Sequence, residues 1–388
     1  MEAHTEICRA IDSYQSKVVS LSHEIHEHPE LKFQEHFACN LLASEIRDLG
    51  IEVQTGIAGL ETSFRGSFGN LGPAIAILAE YDALPNGHSC GHNLIAGAAL
   101  AAAAGLASMQ QKLPGQIVLM GTPAEEGGGG KIKLLDNGAF KGVDAAIMAH
   151  PADCEFSAIG VLAMQHLRIT FRGHAAHAAA APWSGMSALS AVLQTFQSVD
   201  AARLHFRDLS RVHGIITNGG QAVNIVPELA QCEFSARATT AKHAGEIAER
   251  IRRCADAAAM TTGTKVQHET ICAYKNMIIN RTIAEIYERH SQALGIMSRE
   301  APPGTPTGST DMGDVSHALP AIHPMFQISN HGEGTCHEDA FVKHSDSDRG
   351  YAAMIRVAKA MALSAYDLLA NPEALASAKA EFAAASQK

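Results

Sequence analysis

The chain has 388 residues, 46% of them apolar, 18% charged and 5% aromatic, a composition that supports a buried core and excludes a disordered chain. At about 150 residues per domain, two domains are expected and three are allowed. A net charge of −10 with no basic run argues against nucleic acid or an anionic membrane as partner, because both select clustered Lys and Arg.

The opening Met1-Glu2-Ala3-His4 has no basic stretch followed by an apolar one, so no secretory leader is expected. The longest apolar run, residues 94–107, is shorter than the roughly 20 residues of a membrane-spanning helix. Eight single cysteines without a CxxC pair fit reduced thiols in a cytoplasmic protein. The unusual count is 21 histidines, the residue most used for metal ligation and for proton transfer near neutral pH.

Three apolar runs, residues 74–79, 117–121 and 145–149, read as buried parallel strands. Helical patterns over 93–109 and 131–137 alternate with them, as in an α/β unit with a mostly parallel sheet. Each run ends in a polar cluster: Glu80-Tyr81-Asp82, Thr122-Pro123-Ala124-Glu125-Glu126 and His150-Pro151. Ligands bind at the carboxyl ends of such strands, so these three clusters mark the expected site.

From 161 to 277 the pattern becomes strand 165–171, helix 187–204, strands 211–217 and 229–238, helix 241–260 and strand 265–272. That β-α-β-β-α-β order is the ferredoxin-like split arrangement. A helix over 279–294, a loop over 301–309, a strand over 321–328 and a C-terminal helix complete the chain. The expected organisation is a catalytic α/β domain in two parts, 1–160 and 278–388, interrupted by an inserted domain at 161–277.

In Gly87-His88-Ser89-Cys90-Gly91-His92-Asn93, a thiol and an imidazole two residues apart precede a helix whose N-terminus would lower the thiol pKa. The pair reads as metal ligands, as a Cys nucleophile with a His base, or as a structural Cys beside a His. Adjacent carboxylates diverge on a regular strand, but the glycines after Glu125-Glu126 allow both into one site, one as metal ligand and the other as general base. His150 supplies a third ligand-type group at a third strand end. His23, His26 and His28 read as solvated or structural, and His205, His213, His243 and His268 as surface or packing groups. Cys336 reads as packing, because neighbouring side chains diverge on an extended chain.

Taken in order, Tyr81-Asp82-Ala83-Leu84-Pro85, Ser89-Cys90-Gly91-His92-Asn93, Pro123-Ala124-Glu125-Glu126-Gly127-Gly128 and Ala149-His150-Pro151 resemble the co-catalytic metallopeptidases of family M20, amidohydrolase branch. That family includes hippurate hydrolase, aminoacylases, auxin-conjugate hydrolases and aminobenzoyl-glutamate hydrolase. His26-Glu27-His28-Pro29-Glu30-Leu31, Gly173-His174-Ala175-Ala176-His177, Asn224-Ile225-Val226-Pro227, Arg237 and Thr335-Cys336-His337-Glu338 extend the resemblance over nearly the whole chain. The segment from Ser309 to His317 with Ile322-His323-Pro324 resembles most the aminobenzoyl-glutamate and β-alanyl-dipeptide hydrolases.

The resemblance implies Cys90, His92, Glu126, His150 and His337 as ligands of two divalent ions, manganese or zinc, with cobalt possible. It implies Glu125 as general base and Asp82 as the carboxylate that orients the site. His177, rather than its neighbour His174, would stabilise the oxyanion from a partner subunit's lid. Asn224 and Arg237 would hold the substrate carboxylate. The expected activity is hydrolysis of the amide bond of an N-acyl or N-aminoacyl amino acid by a homodimer joined through the inserted lid. A Cys90 thiol hydrolase and a non-enzymatic metal-binding protein are the alternatives.

Overall fold

Short runs of β-branched and small apolar residues, closed by Gly, Pro or acidic residues, build the first sheet. Its strands are β1 (Val53–Thr55), β2 (Phe64–Gly69), β3 (Ala74–Ala79), β4 (Gln116–Gly121) and β5 (Ala145–Ile147). They lie in the order β1-β2-β4-β3-β5, followed by Ala321–Ile322. The pairings among β4, β3, β5 and Ala321–Ile322 are parallel, while β1 and β2 join antiparallel at one edge. The α/β class with a mostly parallel sheet is therefore present. This computed structural model describes residues 2–305 and 307–386; position 1 of the opening tetrapeptide, position 306 of the Pro/Gly/Thr loop and the last two residues lie outside them.

The chain divides into two compact units. One runs to Gly160 and resumes at Met277; the other holds Val161–Asn276 together with Gly308–Thr310. In the first unit β3 is buried along its whole length, as expected for a central parallel strand covered on both faces. The helix His92–Ala107 is nearly all Ala, Gly and Leu and is buried on every side, which is how a helix apolar all round must sit in a soluble domain. Helices Glu2–Glu27 and Asp348–Ala370 pack against it. Each fully buried Ile or Leu of this core, such as Ile75, Ile77 and Leu119, contributes roughly 1.5–3 kcal/mol.

The structure breaks the strand expected over 321–328 into two pieces, Ala321–Ile322 and Met325–Gln327. The expected run 145–149 likewise stops at Ile147, and the chain resumes as β6 (His150–Ala152). The second pieces pair with each other, parallel, in a separate two-stranded sheet. Pro324, in the gap of the second segment, has no N–H to donate to a ladder, and the two segments leave the large sheet together. His150 and His323 sit at this break with their rings 5.6 Å apart.

The second unit carries β7 (Ala163–Arg172), β8 (Arg211–Asn218), β9 (Leu229–Ala238) and β10 (Lys265–Tyr274) in the antiparallel order β10-β7-β9-β8. Burial alternates residue by residue along β9, the period of a sheet with one covered face. Helices Ala188–Ala202 and Ala241–Thr262 cover that face over Leu167, Ile169, Phe171 and Phe234. Ser187 and Thr240 cap them, each side chain accepting from a backbone N–H three residues on. Among the described residues no helix is long and apolar enough to cross a membrane.

Candidate metal centre

The carboxyl ends of β3, β4 and β5 bring the three polar clusters of the first unit to one place. Cys90, His92 and Glu126 offer ligand atoms within 4.8 Å of one another, and so do Glu80, His92 and His150. His337 adds Nε2 at 3.5 Å from Glu126 Oε1. All five expected ligands therefore converge, joined by Glu80, which was not anticipated.

Local backbone geometry explains the convergence. Gly91 sits at φ 69° immediately before the helix, and a Cβ there would lie 2.6 Å from the Pro151 ring, so only glycine turns the chain between Cys90 and His92. Ala124 at φ 60° and Gly127 at φ 73° bracket Glu125 and Glu126 in an irregular turn, which keeps the neighbouring carboxylates from diverging as they would on a strand. Gly130 closes this turn against the Pro123 carbonyl, 1.7 Å from where a Cβ would stand.

Hydrogen bonds set the two imidazoles. His92 Nδ1 donates to Asp82 Oδ1 at 3.0 Å, and Asp82 Oδ2 accepts from the Glu126 N–H at 2.9 Å. His150 Nδ1 donates to the Pro151 carbonyl at 2.7 Å. With Nδ1 engaged in both rings, Nε2 is the nitrogen left to meet a cation, the arrangement that outer carboxylates and carbonyls favour in metal-bound histidines. Asp82 thus joins the His92 ring to the Glu126 backbone.

The donor set fits a cation. His92 Nε2 and Glu80 Oε2 are buried and face each other across 3.6 Å with no hydrogen-bond partner among the described residues, a costly state for polar atoms. Burial would push the His92 imidazolium down, but Asp82 and Glu80 hold it well above its ordinary value. Thiol, imidazole and carboxylate together are ligands for zinc, manganese or cobalt. The cluster of His4, His290 and Asp367 differs, because both imidazole Nε2 atoms already pair with Asp367 at 2.7 Å.

Glu125 is buried, and desolvation together with the charge of Glu126 raises its carboxyl well above the ordinary range. Burial acts the same way on Glu126, but the His337 hydrogen bond and the His92 charge bring it below its ordinary value. Two adjacent carboxyls pushed apart in this way suit different tasks, one exchanging a proton and the other staying an anion. Beneath them lies a buried ion triad, in which Lys131 Nζ pairs with Glu80 and, at 2.8 Å, with Asp311 Oδ1. Glu80, Lys131 and Asp311 were not anticipated as site residues. The signal available was the spacing of Glu80 and Asp82, which places both on one face of an extended segment.

Two sequence-based expectations change. The helix N-terminus does not acidify Cys90: a hydrogen bond with Cys336, burial and the Glu126 charge push its thiol well up. A buried thiol of that kind is a poor nucleophile, which removes the support for the thiol-hydrolase alternative. Cys336 is not directed away from the site: its Sγ lies within 4.8 Å of the ligand atoms of Cys90 and His150.

His177, Asn224 and Arg237 belong to the second unit. The loops carrying His177 and Asn224 lie side by side, with a bridge between His177 and Ile225 and a bond from the Ala178 N–H to the Asn224 carbonyl. His177 Nδ1 accepts from the Ala179 and Ala180 N–H groups at 3.2 and 3.1 Å, so its proton sits on Nε2, which is left as a donor. His174 instead pairs through its backbone with Met186. Arg237 lies near the far end of β9, its Nη1 3.4 Å from Ser309 Oγ.

Comparisons with known proteins place the chain in a family. The family model described as Peptidase family M20/M25/M40 matches residues 76–360. The mouse protein named Xaa-Arg dipeptidase is 36% identical over 391 residues, covering 96% of this chain and 90% of that protein. One component of the p-aminobenzoyl-glutamate hydrolase of Escherichia coli (strain K12) is 33% identical over 304 residues, covering 73% of this chain and 63% of its own length. A crystal structure described as a dinuclear metal-binding peptidase of the M20 family from Bacillus subtilis superposes with a TM-score of 0.71 at 20% identity, covering 93% of this chain and 99% of that one. Together with the converging ligand atoms, these matches make the chain a member of peptidase family M20/M25/M40 and a hydrolase of amide or peptide bonds.

Proposed function

We propose that this protein hydrolyses the amide bond of N-aminoacyl or N-acyl amino acids with a pair of divalent ions held by Cys90, His92, Glu126, His150 and His337. The observation that carries the reading is the orphaned His92 Nε2 and Glu80 Oε2 beside a buried Glu125 of raised pKa. When bound, such ions polarise the scissile carbonyl and make water acidic enough to attack at neutral pH. Glu125 takes the proton from the attacking water and returns it to the leaving amine. Asp82 keeps His92 in its tautomer. His177 donates Nε2–H to the developing oxyanion, and Arg237 and Asn224 hold the substrate carboxylate.

The second unit acts as a lid and as the dimer contact. Along β9, eight residues separate Leu229, at the Asn224 end, from Arg237, roughly 26 Å at the rise of a strand. One copy of this unit is too long to bring both ends onto a small substrate, which supports His177 and Asn224 acting on the partner subunit's site. The exposed edge strand β8, with Ile215 63% and Ile216 43% accessible, offers a surface for such pairing. The name of the mouse relative makes dipeptides with a C-terminal basic residue the first substrates to try, followed by aminoacyl-glutamate and N-acyl amino acids.

The test is amine release from that panel before and after chelator stripping and refilling with Mn²⁺, Zn²⁺ or Co²⁺, for wild type and Glu125→Gln. Activity should vanish on stripping and return on refilling, and Glu125→Gln should keep its metal while losing about 10³-fold or more in kcat. Full activity after complete stripping, or a wild-type rate in Glu125→Gln, would overturn the mechanism.

A further inference from the structure

Cys336 has a neighbourhood that packing alone does not explain. Its Sγ, the Sγ of Cys90 and a ring nitrogen of His150 form a third group of ligand atoms within 4.8 Å of one another. The thiol of Cys336 also donates, at 3.8 Å, to the Pro151 carbonyl, the same oxygen that fixes the tautomer of His150. The backbone allows this because the next residue, His337, sits at φ 77°, in the left-handed region that a non-glycine residue rarely adopts. An extended chain would send Cys336 and His337 to opposite sides. The turn instead carries His337 to Glu126 and Cys336 to Cys90.

We infer that Cys336 is a metal ligand, completing with Cys90 and His150 a thiolate-rich position for one of the two ions. This rests on the metal-centre reading above and makes the two positions chemically unequal. Two thiolates and an imidazole select a thiophilic ion such as Zn²⁺ or Co²⁺. The group of Glu80, His92 and His150 offers a carboxylate and no thiol and tolerates Mn²⁺. Binding at the thiolate-rich position takes one proton from each thiol and releases it to solvent.

The experiment uses full-length protein, stripped with chelator and kept reduced, as wild type, Cys336→Ser and a Cys254→Ser control from the second unit. Each is titrated with Co²⁺ while the near-ultraviolet sulfur-to-cobalt charge-transfer band is followed, and then with Zn²⁺ and Mn²⁺ in competition. The first equivalent of Co²⁺ should give a band that falls by about half in Cys336→Ser. Zn²⁺ affinity should fall at least about tenfold, the scale of losing one ligand, while Mn²⁺ affinity changes less than about twofold and Cys254→Ser matches wild type. X-ray absorption of wild type with one equivalent of Zn²⁺ needs no variant; it should find two sulfur neighbours near the usual Zn–S distance of about 2.3 Å. A single sulfur neighbour, or an unchanged band and Zn²⁺ affinity in Cys336→Ser, would show Cys336 to be a packing thiol and overturn the inference while leaving the metal centre intact. Wild type that takes up no Co²⁺ or Zn²⁺ would overturn the metal-centre reading itself.

Discussion

In the first unit most groups around the proposed ion site are sunk into the protein and hold one another, His337 being the exposed one, whereas in the second unit His177 and Asn224, proposed to act on substrate, stand in the open. Glu80, Asp82, His92 and Lys131 have essentially no exposed surface, and each is tied to a named neighbour. His177 and Asn224 are exposed on loops held mainly through backbone bonds. The difference follows from the two jobs. Under that proposal ion geometry tolerates little error, so ligands need a packed shell, while a substrate must enter and leave, so groups that grip it are better placed on surface loops over a rigid sheet.

The contrast can be broken most forcefully at Lys131. Lys131→Met leaves Glu80 and Asp311 as buried carboxylates without their cation, and removal of one partner from a buried ion pair costs about 3–5 kcal/mol. A large fall in Tm and weaker metal retention are the expected outcome; a variant as stable as wild type with full metal would mean the triad is not what holds Glu80. His177→Ala should act the opposite way, lowering kcat about 10²-fold with Tm and metal content unchanged, the scale of losing one oxyanion donor. Co-expression of His177→Ala with Arg237→Ala sharpens the point. If the lid acts across the dimer, mixed dimers regain one complete site and measurable activity; if both residues serve their own subunit, the mixture stays as inactive as its parents.

The smallest expected effect lies at the turn that aims Glu125. Glu35 Oε1 accepts from the Ala124 N–H at 2.9 Å and Oε2 from the Thr62 hydroxyl at 2.8 Å. Burial raises its carboxyl to about 7, against the lowering effect of Thr62. A pKa raised in the folded state means that the stabilisation is complete below the ordinary carboxyl value and is lost as pH climbs through about 7. Glu35→Gln, which keeps both bonds and never ionises, should gain on wild type by roughly 2 kcal/mol as pH rises from 4.5 to 8. Denaturant melts across that range would show it, and parallel curves for the two proteins would refute it.

Much of the site was readable along the chain because its groups come in short motifs at strand ends. Glu80 and Asp82, Glu125 and Glu126, and His150 each follow an apolar run that had to be a buried strand, the topology of parallel sheets brings such ends together, and Cys90 and His92 precede a helix. The strand over 229–238 and the two helices of the second unit were legible for the same reason: periodicity is local. Lys131 was different. Nothing local distinguishes a lysine in the first turn of a helix from a solvated one, and only the fold buries it between Glu80 and Asp311, 51 and 180 residues away.

Local chemistry determined the class of fold, the strand ends and the residue types able to bind a metal ion, because hydrogen bonding and burial act along short stretches. The tertiary structure decided what depends on meetings between distant segments and on single backbone angles: the break of two strands after Ile147 and after Ile322, and the hydrogen bonds that orient His92 and His150. The left-handed turn at His337, which puts Cys336 against Cys90, has the same origin. Such an angle costs energy in the isolated peptide and persists only where the surrounding packing holds it.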